Sequence, residues 1–179
     1  LNQMVIPASR LLVAIGLFGF LSVTGHNANA YILSAFCLSY MTNTLHMPKT
    51  QSLTALVIAS LTGVVVTPFM GAIADRIGNA RVYAFGAVFT GAFAFPLFAL
   101  IDTGDLVLAT LAMSIGYGIG FGGLAGAQGA FLANLFPTRT RFSGIALTRE
   151  LNSMLIAGPT PFIASALVAA AGGTPEYVA

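Results

Sequence analysis

Long apolar segments separated by short polar ones run through the whole chain. A helix that crosses a lipid bilayer needs about 20 mostly apolar residues, and several segments meet this requirement. The short breaks between them are typical of loops that join antiparallel neighbours in a helical bundle. Because the apolar runs are continuous and do not alternate, the pattern does not fit strands of a β-barrel. The predicted helices cover approximately residues 11–40, 51–73, 81–101, 106–136 and 142–171.

The composition supports an all-α membrane protein with about five transmembrane helices. The chain is 57% hydrophobic and only 7% charged, whereas soluble domains are about 25% charged. A net charge of +2, with no Lys/Arg-rich run, does not indicate a nucleic-acid partner. The single cysteine excludes a disulfide within this chain. The two histidines lack metal-ligand spacing, so we predict no metal or cofactor.

The arginines indicate how the helices are oriented. Loops that are enriched in Lys and Arg usually lie in the cytoplasm. All the arginines near predicted helix ends fall on one side, and Lys49 alone falls in a loop on the other. We therefore place the amino-terminal end, the loop after the second helix and the loop after the fourth helix in the cytoplasm. These arginines are Arg10, Arg76, Arg81, Arg139 and Arg141.

The segment GAIADRIGNARV gathers three charged residues between two long apolar helices. Gly71 allows another helix to come close, and Gly78 permits a tight turn. Asp75 can accept hydrogen bonds from a helix N-terminus. Arg76 and Arg81 suit lipid phosphates, helix C-termini or acidic partners. On charge alone, the segment is equally explained as an anchor that holds the loop in the cytoplasm.

The order of these residues resembles the G-x-x-x-D-R-x-G-R-[RK] loop of the major facilitator superfamily. In that family the loop joins the second and third spans of each six-helix half and acts as a conformational latch without binding substrate. The segment departs from the motif at Asn79 and Ala80, where Arg81 is the nearest basic substitute, and this implies a weakened latch. The matching positions are Gly71, Asp75, Arg76 and Gly78.

Other segments resemble one branch of that superfamily, the metabolite:proton symporters. ANLFPTRTRFSGIAL resembles their E-L-F-P-T-R-x-R-[YF]-[ST]-G loop, with Asn134 in place of the acidic residue. Segments 84–104 and 30–42 resemble further spans of the same half. The resemblance implies that residues 1–179 are most of the C-terminal half of a twelve-span transporter, incomplete at both ends. The matched residues of this cytoplasmic loop are Pro137, Arg139 and Arg141.

The resemblance also implies a function. The implied protein is a multi-pass transporter in the cell (inner) membrane, which carries a small polar metabolite together with a proton by alternating access. The implied substrate is an organic acid or a zwitterion such as a betaine, and the missing N-terminal half would complete its path. The alternative within the superfamily is a proton-coupled efflux antiporter of drugs or metabolites. A membrane enzyme would need a cluster such as H-E-x-x-H, which the sequence lacks, and a sensor with the same fold is a further alternative.

Polar residues in the middle of the first helix form the first candidate site. Polar groups near the middle of a membrane are costly unless they are paired or hydrated. Positions 22, 26 and 29 share roughly one helix face, and we expect them to line a substrate cavity or to form interhelical hydrogen bonds. A histidine here can carry a proton or pack as a neutral ring. The candidates are His26, Asn27, Asn29 and Tyr31.

The fifth helix carries two adjacent ionisable residues, Arg149 and Glu150, about 11 Å along its axis. Arg149 can bind a substrate carboxylate through two hydrogen bonds, and Glu150 is the candidate for proton coupling. Their side chains point about 100° apart, so both need not face one cavity. A buried ion pair or a gate contact is the structural alternative. Asn152 extends the polar surface, and the segment GPTPF predicts a break in this helix.

Glycines dominate the fourth helix. Gly118, Gly120 and Gly123 match G-x-G-x-x-G, but neither a preceding strand nor a following acidic residue supports a dinucleotide site. Instead, the spacing of Gly118, Gly122 and Gly126 predicts a smooth face for close helix packing. The polar candidates on this helix, for packing or for substrate contact, are Tyr117 and Gln128.

Overall fold

The computed structural model describes residues 8–170, and within this range every regular element is helical. The all-α class predicted from the sequence is confirmed, and residue 171 of the fifth predicted helix lies outside the described range. The helices are α1 (residues 8–44), α2 (Lys49–Ile77), α3 (Asn79–Ile101), α4 (Leu106–Leu135) and α5 (residues 141–170).

Three of these helices contain π-helical turns, which widen a helix and are frequent near functional sites. In α1 the segments are Ala8–Tyr31, the π turn Ile32–Phe36, Cys37–Ser39 and the π turn Tyr40–Thr44. In α4 a π turn at Gly116–Phe121 separates Leu106–Ile115 from Gly122–Leu135. In α5 they are Arg141–Asn152, the π turn Ser153–Ala157 and Thr160–Ala170.

Prolines act differently in the different helices. The break expected at GPTPF is confirmed, because residues 158–159 form a turn between the two parts of α5. In contrast, α2 continues through Pro68 and α3 continues through Pro96, although a proline inside a helix usually kinks or breaks it. Since proline removes only one backbone donor, flanking turns and packing can keep such helices continuous.

Among residues 8–170, three helices are long and apolar enough to cross a membrane, judged by length and composition: α2, α3 and α4. Their outer faces carry large apolar side chains that are mostly exposed, such as Val64, Val88 and Phe95. Exposed apolar faces of this extent are compatible with a lipid bilayer, because lipid tails are as apolar as the side chains themselves.

Specific residues set the helix ends. Asp105 caps α4, where its carboxylate accepts hydrogen bonds from the backbone N–H groups of Val107 at 2.7 Å and Leu108 at 3.0 Å. Gly78 separates α2 from α3 and has a φ of 105°, a conformation that glycine adopts far more readily than other residues. The tight turn expected at this glycine is therefore confirmed.

Replacing Gly78 with alanine is expected to destabilise the protein by about 1–3 kcal/mol, because the left-handed backbone would be strained by a Cβ atom. The apparent melting temperature of the detergent-purified full-length protein measures this effect. Gly91→Ala is the matched control, since a Cβ at Gly91 meets nothing within 4 Å. Equal melting temperatures for the two variants would contradict the strain argument.

Helix α4 lies against both α2 and α3, and glycines allow the close approach. A Cβ atom at Gly126 would lie 2.8 Å from the backbone nitrogen of Gly71 and 2.8 Å from the carbonyl oxygen of Thr67. Gly118 and Gly122 also face α2. The glycine face predicted for the fourth helix is thus confirmed, and Gly71 is one of its partners on α2.

Helix α1 packs mainly against α5, and its C-terminal end is hydrogen-bonded to the residue that follows α3. There the hydroxyl group of Tyr40, which is 3% exposed, donates a 2.7 Å hydrogen bond to the Asp102 carboxylate. Near the start of α5, the buried Phe136 ring packs against Gly19 of α1 and Gly144 of α5. The Phe136 contact joins α1 and α5, which form the two walls of the site described next.

Candidate functional site

A polar cavity lies between α1 and the first part of α5. Its volume is about 330 Å³, which suits a small ligand. All but one of the residues that line it belong to α5, mostly at positions three or four apart, so one helix face forms this wall. The lining residues are Asn27, Phe142, Ile145, Ala146, Arg149, Glu150 and Ser153.

Arg149 and Glu150 both reach this cavity, although adjacent helical residues point about 100° apart. Both side chains are exposed, and within residues 8–170 they form no ion pair with each other. The buried ion pair considered from the sequence is therefore not formed in the described part. A guanidinium group binds a carboxylate with two parallel hydrogen bonds, and a carboxylate group can accept a proton or attract a cation.

Asn152 lies behind the cavity wall and not in it. Its side chain is fully buried, with 0% exposure, and it bonds to α1 with both ends of its amide. Its Nδ2 donates to the carbonyl oxygen of Phe20 at 2.9 Å and to the hydroxyl oxygen of Thr24 at 2.7 Å. Its Oδ1 accepts a 2.9 Å hydrogen bond from Nδ2 of Asn27, which does line the cavity.

Three other predicted site residues lie in the helix core. His26 is 8% exposed and stacks on Phe121, with ring centroids 4.9 Å apart. Tyr117 is buried beside Gly63 of α2. Gln128 is also buried. All three residues are buried between helices and none of them lines the polar cavity, and Nδ1 of His26 and Nε2 of Gln128 have no hydrogen-bond partner among the described residues.

Asn29 faces a second cavity, of about 220 Å³, between α1, α3 and α4. Its Nδ2 and the hydroxyl oxygen of Thr90 are buried without a hydrogen-bond partner among the described residues. The face formed by positions 22, 26 and 29 therefore packs towards α3 and α4, and none of these three residues lines the cavity with Arg149. Tyr31 is 41% exposed and lines neither of the two cavities.

The charged loop between α2 and α3 surrounds an open groove together with the end of α4. Arg81 donates a 3.5 Å hydrogen bond to the carbonyl oxygen of Ile77, one of the helix C-terminal partners expected for it. The neighbouring residues from α4 are Phe131, Asn134 and Leu135. The loop residues that line the groove include Asp75, Arg76, Gly78 and Arg81.

The loop between α4 and α5 forms a tight turn. The carbonyl oxygen of Pro137 accepts a 3.0 Å hydrogen bond from the backbone N–H of Thr140. Arg139 and Arg141 are exposed, and α5 begins at Arg141. None of these residues lines the polar cavity, so the loop is separate from the candidate site.

Sequence reasoning did not find the apolar part of the cavity. Phe142, Ile145 and Ala146 line it together with Arg149 and Ser153. Their spacing of three and four residues along α5 was the available signal. This signal is weak in a transmembrane helix, because apolar residues surround the whole helix and no face is distinguished by polarity.

Comparisons with known proteins agree with this architecture. The sequence profile of the Major Facilitator Superfamily matches residues 5–176. The chain is 31% identical over 158 residues to the glycine betaine/proline/ectoine/pipecolic acid transporter of Dickeya dadantii (strain 3937), which covers 88% of this chain and 30% of the relative. It is 30% identical over 160 residues to the proline/betaine transporter of Escherichia coli (strain K12), covering 88% of this chain and 30% of the relative.

A third relative is named for a different substrate. The shikimate transporter of Escherichia coli (strain K12) is 27% identical over 149 residues, covering 83% of this chain and 34% of the relative. The chain thus spans about a third of the length of these curated relatives. No solved structure gives a significant match. The relatives are named as transporters and not as enzymes, and together with the apolar helices they show a membrane protein.

Proposed function

Since the chain belongs to the major facilitator superfamily, we propose that the full-length protein is a secondary active transporter of a small polar metabolite. The cargo is a zwitterion such as a betaine, or an organic acid, carried in symport with protons by alternating access. The protein acts in the cell inner membrane. In this proposal, residues 1–179 belong to its C-terminal half, and an N-terminal half forms the other wall of the path.

The observation that supports the proposal is the cavity that Arg149, Glu150 and Asn27 line together. A substrate carboxylate binds the guanidinium group of Arg149, which offers two parallel donors. Glu150 exchanges the coupled proton, and the amide of Asn27 contacts the other end of the substrate. Relatives named for glycine betaine, proline and shikimate support this class of cargo, because each named compound carries a carboxylate.

Uptake of labelled substrates by cells that express the full-length protein tests the proposal. We expect uptake of glycine betaine or of a small organic acid, and we expect a protonophore to abolish it. Active extrusion of dyes without uptake of either compound would instead indicate an efflux antiporter. Uptake that a protonophore leaves unchanged would retain the transporter and refute proton coupling.

Glu150→Gln is expected to separate transport from proton coupling, because glutamine keeps the size of the side chain but cannot exchange a proton. The variant should still exchange labelled for unlabelled substrate in proteoliposomes but should lose accumulation driven by a pH gradient. The matched control is Asp102→Asn, a carboxylate-to-amide change at the far end of α3 whose oxygen can still accept from Tyr40. Gradient-driven accumulation by Glu150→Gln would contradict the assigned role.

A further inference from the structure

Asn152 makes more polar contacts to another helix than any other side chain of the cavity region in the described residues. Its amide forms hydrogen bonds to Phe20, Thr24 and Asn27 of α1. An asparagine side chain has two N–H donors and one carbonyl acceptor group, and all of them are used here. The residue is fully buried, so it cannot touch a substrate in the cavity.

The partners of Asn152 fix which way each amide points. The backbone carbonyl oxygen of Phe20 can only accept, so the group of Asn152 that faces it must be the Nδ2 donor. Its Oδ1 then faces Asn27, and this requires Asn27 to present its own Nδ2 as the donor. The usual ambiguity between the oxygen and nitrogen of an amide is thereby removed for both residues.

The Asn27 amide uses one N–H in its bond to Asn152, which leaves its second N–H and its Oδ1. Its Nδ2 is bound to Asn152, and the residue lines the cavity with Arg149 and Glu150. No described residue forms a hydrogen bond with Asn27 Oδ1, so this oxygen is available to a ligand in the cavity. An amide oxygen carries a partial negative charge that does not depend on protonation, unlike the carboxylate group of Glu150. It is suited to the cationic end of a zwitterion whose carboxylate binds Arg149.

We propose that Asn152 is a positioning residue that orients the Asn27 amide, so that Asn27 Oδ1 contacts the cationic end of a zwitterionic substrate. The inference rests on the proposed function, and it names the substrate class more narrowly. Asn152 acts through Asn27, and its bond to the Phe20 carbonyl oxygen fixes which way its own amide points. Selection between a zwitterion and a simple carboxylate of the same shape then depends on a residue outside the cavity.

Two compounds of the same shape separate this role from a structural one. Glycine betaine has a carboxylate and a quaternary ammonium group, whereas 3,3-dimethylbutyrate has the same carboxylate and shape but no positive charge. In the full-length protein, Asn152→Ala should raise the KM for glycine betaine about tenfold, the effect of one lost interaction with a charged group. The inhibition constant of 3,3-dimethylbutyrate and the Vmax per transporter at the membrane should change less than about twofold.

A double-mutant cycle tests whether Asn152 acts through Asn27. Asn27→Ala should reproduce the selective rise in KM, and the double variant should show no further rise. Thr24→Val is the matched control. It removes one bond to Asn152 but leaves the Phe20 bond that fixes the amide, so its KM should stay within about twofold.

Each other outcome overturns a defined part of the inference. Additive effects of the two alanine variants, or equal weakening of glycine betaine and 3,3-dimethylbutyrate, would show a structural role for Asn152. If Asn152→Ala does not reach the membrane, Asn27→Ala still must weaken glycine betaine selectively, and a failure to do so refutes the inference. If the unmodified protein transports no zwitterion but transports organic acids, the inference fails and the transporter proposal stands. If it transports neither, both fail.

Discussion

Replacing Arg149 with glutamine is expected to reduce uptake of a carboxylate substrate about a hundredfold at equal surface abundance. Hydrogen bonds to charged groups contribute about 1.5–3 kcal/mol, and 1.4 kcal/mol corresponds to about a tenfold change in binding. Because Arg149 reaches the cavity and is not paired with Glu150 within residues 8–170, its two donors are free to bind the substrate carboxylate. Initial uptake rates over a range of substrate concentrations measure the effect.

Two variants sharpen this experiment. Arg149→Lys keeps the positive charge but loses the planar pair of donors, so its uptake should fall between that of the unmodified protein and Arg149→Gln. Lys49→Gln removes an exposed positive charge at the start of α2, remote from the lining of the cavity, and should leave uptake unchanged. An unaltered KM and Vmax in Arg149→Gln would rule out the assigned contact with substrate.

Replacing Gly126 with alanine is expected to be the most damaging single-methyl change to the helix core. The new Cβ would lie 2.8 Å from backbone atoms of both Gly71 and Thr67, and backbone atoms cannot rotate away as a side chain can. Overpacking costs about 1–3 kcal/mol or more, which exceeds the gain of about 1 kcal/mol when alanine replaces glycine in a helix. A lower apparent melting temperature in detergent and a lower abundance in the membrane should both result.

The same helix offers a matched control for this prediction. Gly129 lies one turn further along α4, and a Cβ there meets nothing within 4 Å. Gly129→Ala should therefore leave the melting temperature unchanged or raise it slightly. If Gly126→Ala and Gly129→Ala have equal melting temperatures, then α2 and α4 are not in the close contact that the structure describes.

The sequence by itself determined the helices and the family. Long apolar runs give membrane helices because backbone groups in lipid must be hydrogen-bonded within their own segment. The four-residue spacing of Gly118, Gly122 and Gly126 identified the face that packs against α2. The loop motif around Asp75 indicated the superfamily that the profile match then confirmed. These features are local in the chain, so a single sequence records them.

Part of the candidate site could also be predicted from local features of the sequence. Arg149 and Glu150 stood out because ionisable residues are rare within membrane helices, and both line the cavity. The break in α5 was visible from its glycine and prolines, and it was found. The π-helical turns of α1 and α4 were not predicted, since no single residue type demands them.

Only the tertiary structure decided which polar residues share the cavity. The middle of α1 has polar groups on several faces, so its rotation against α4 and α5 assigns each a different environment. It turned Asn27 towards Arg149, stacked His26 on Phe121 and left Asn29 facing a second cavity. The physical reason is that the apolar residues of a membrane helix surround it almost evenly. Their pattern does not fix the rotation, which the close packing of neighbouring helices and the hydrogen bonds of Asn152 determine instead.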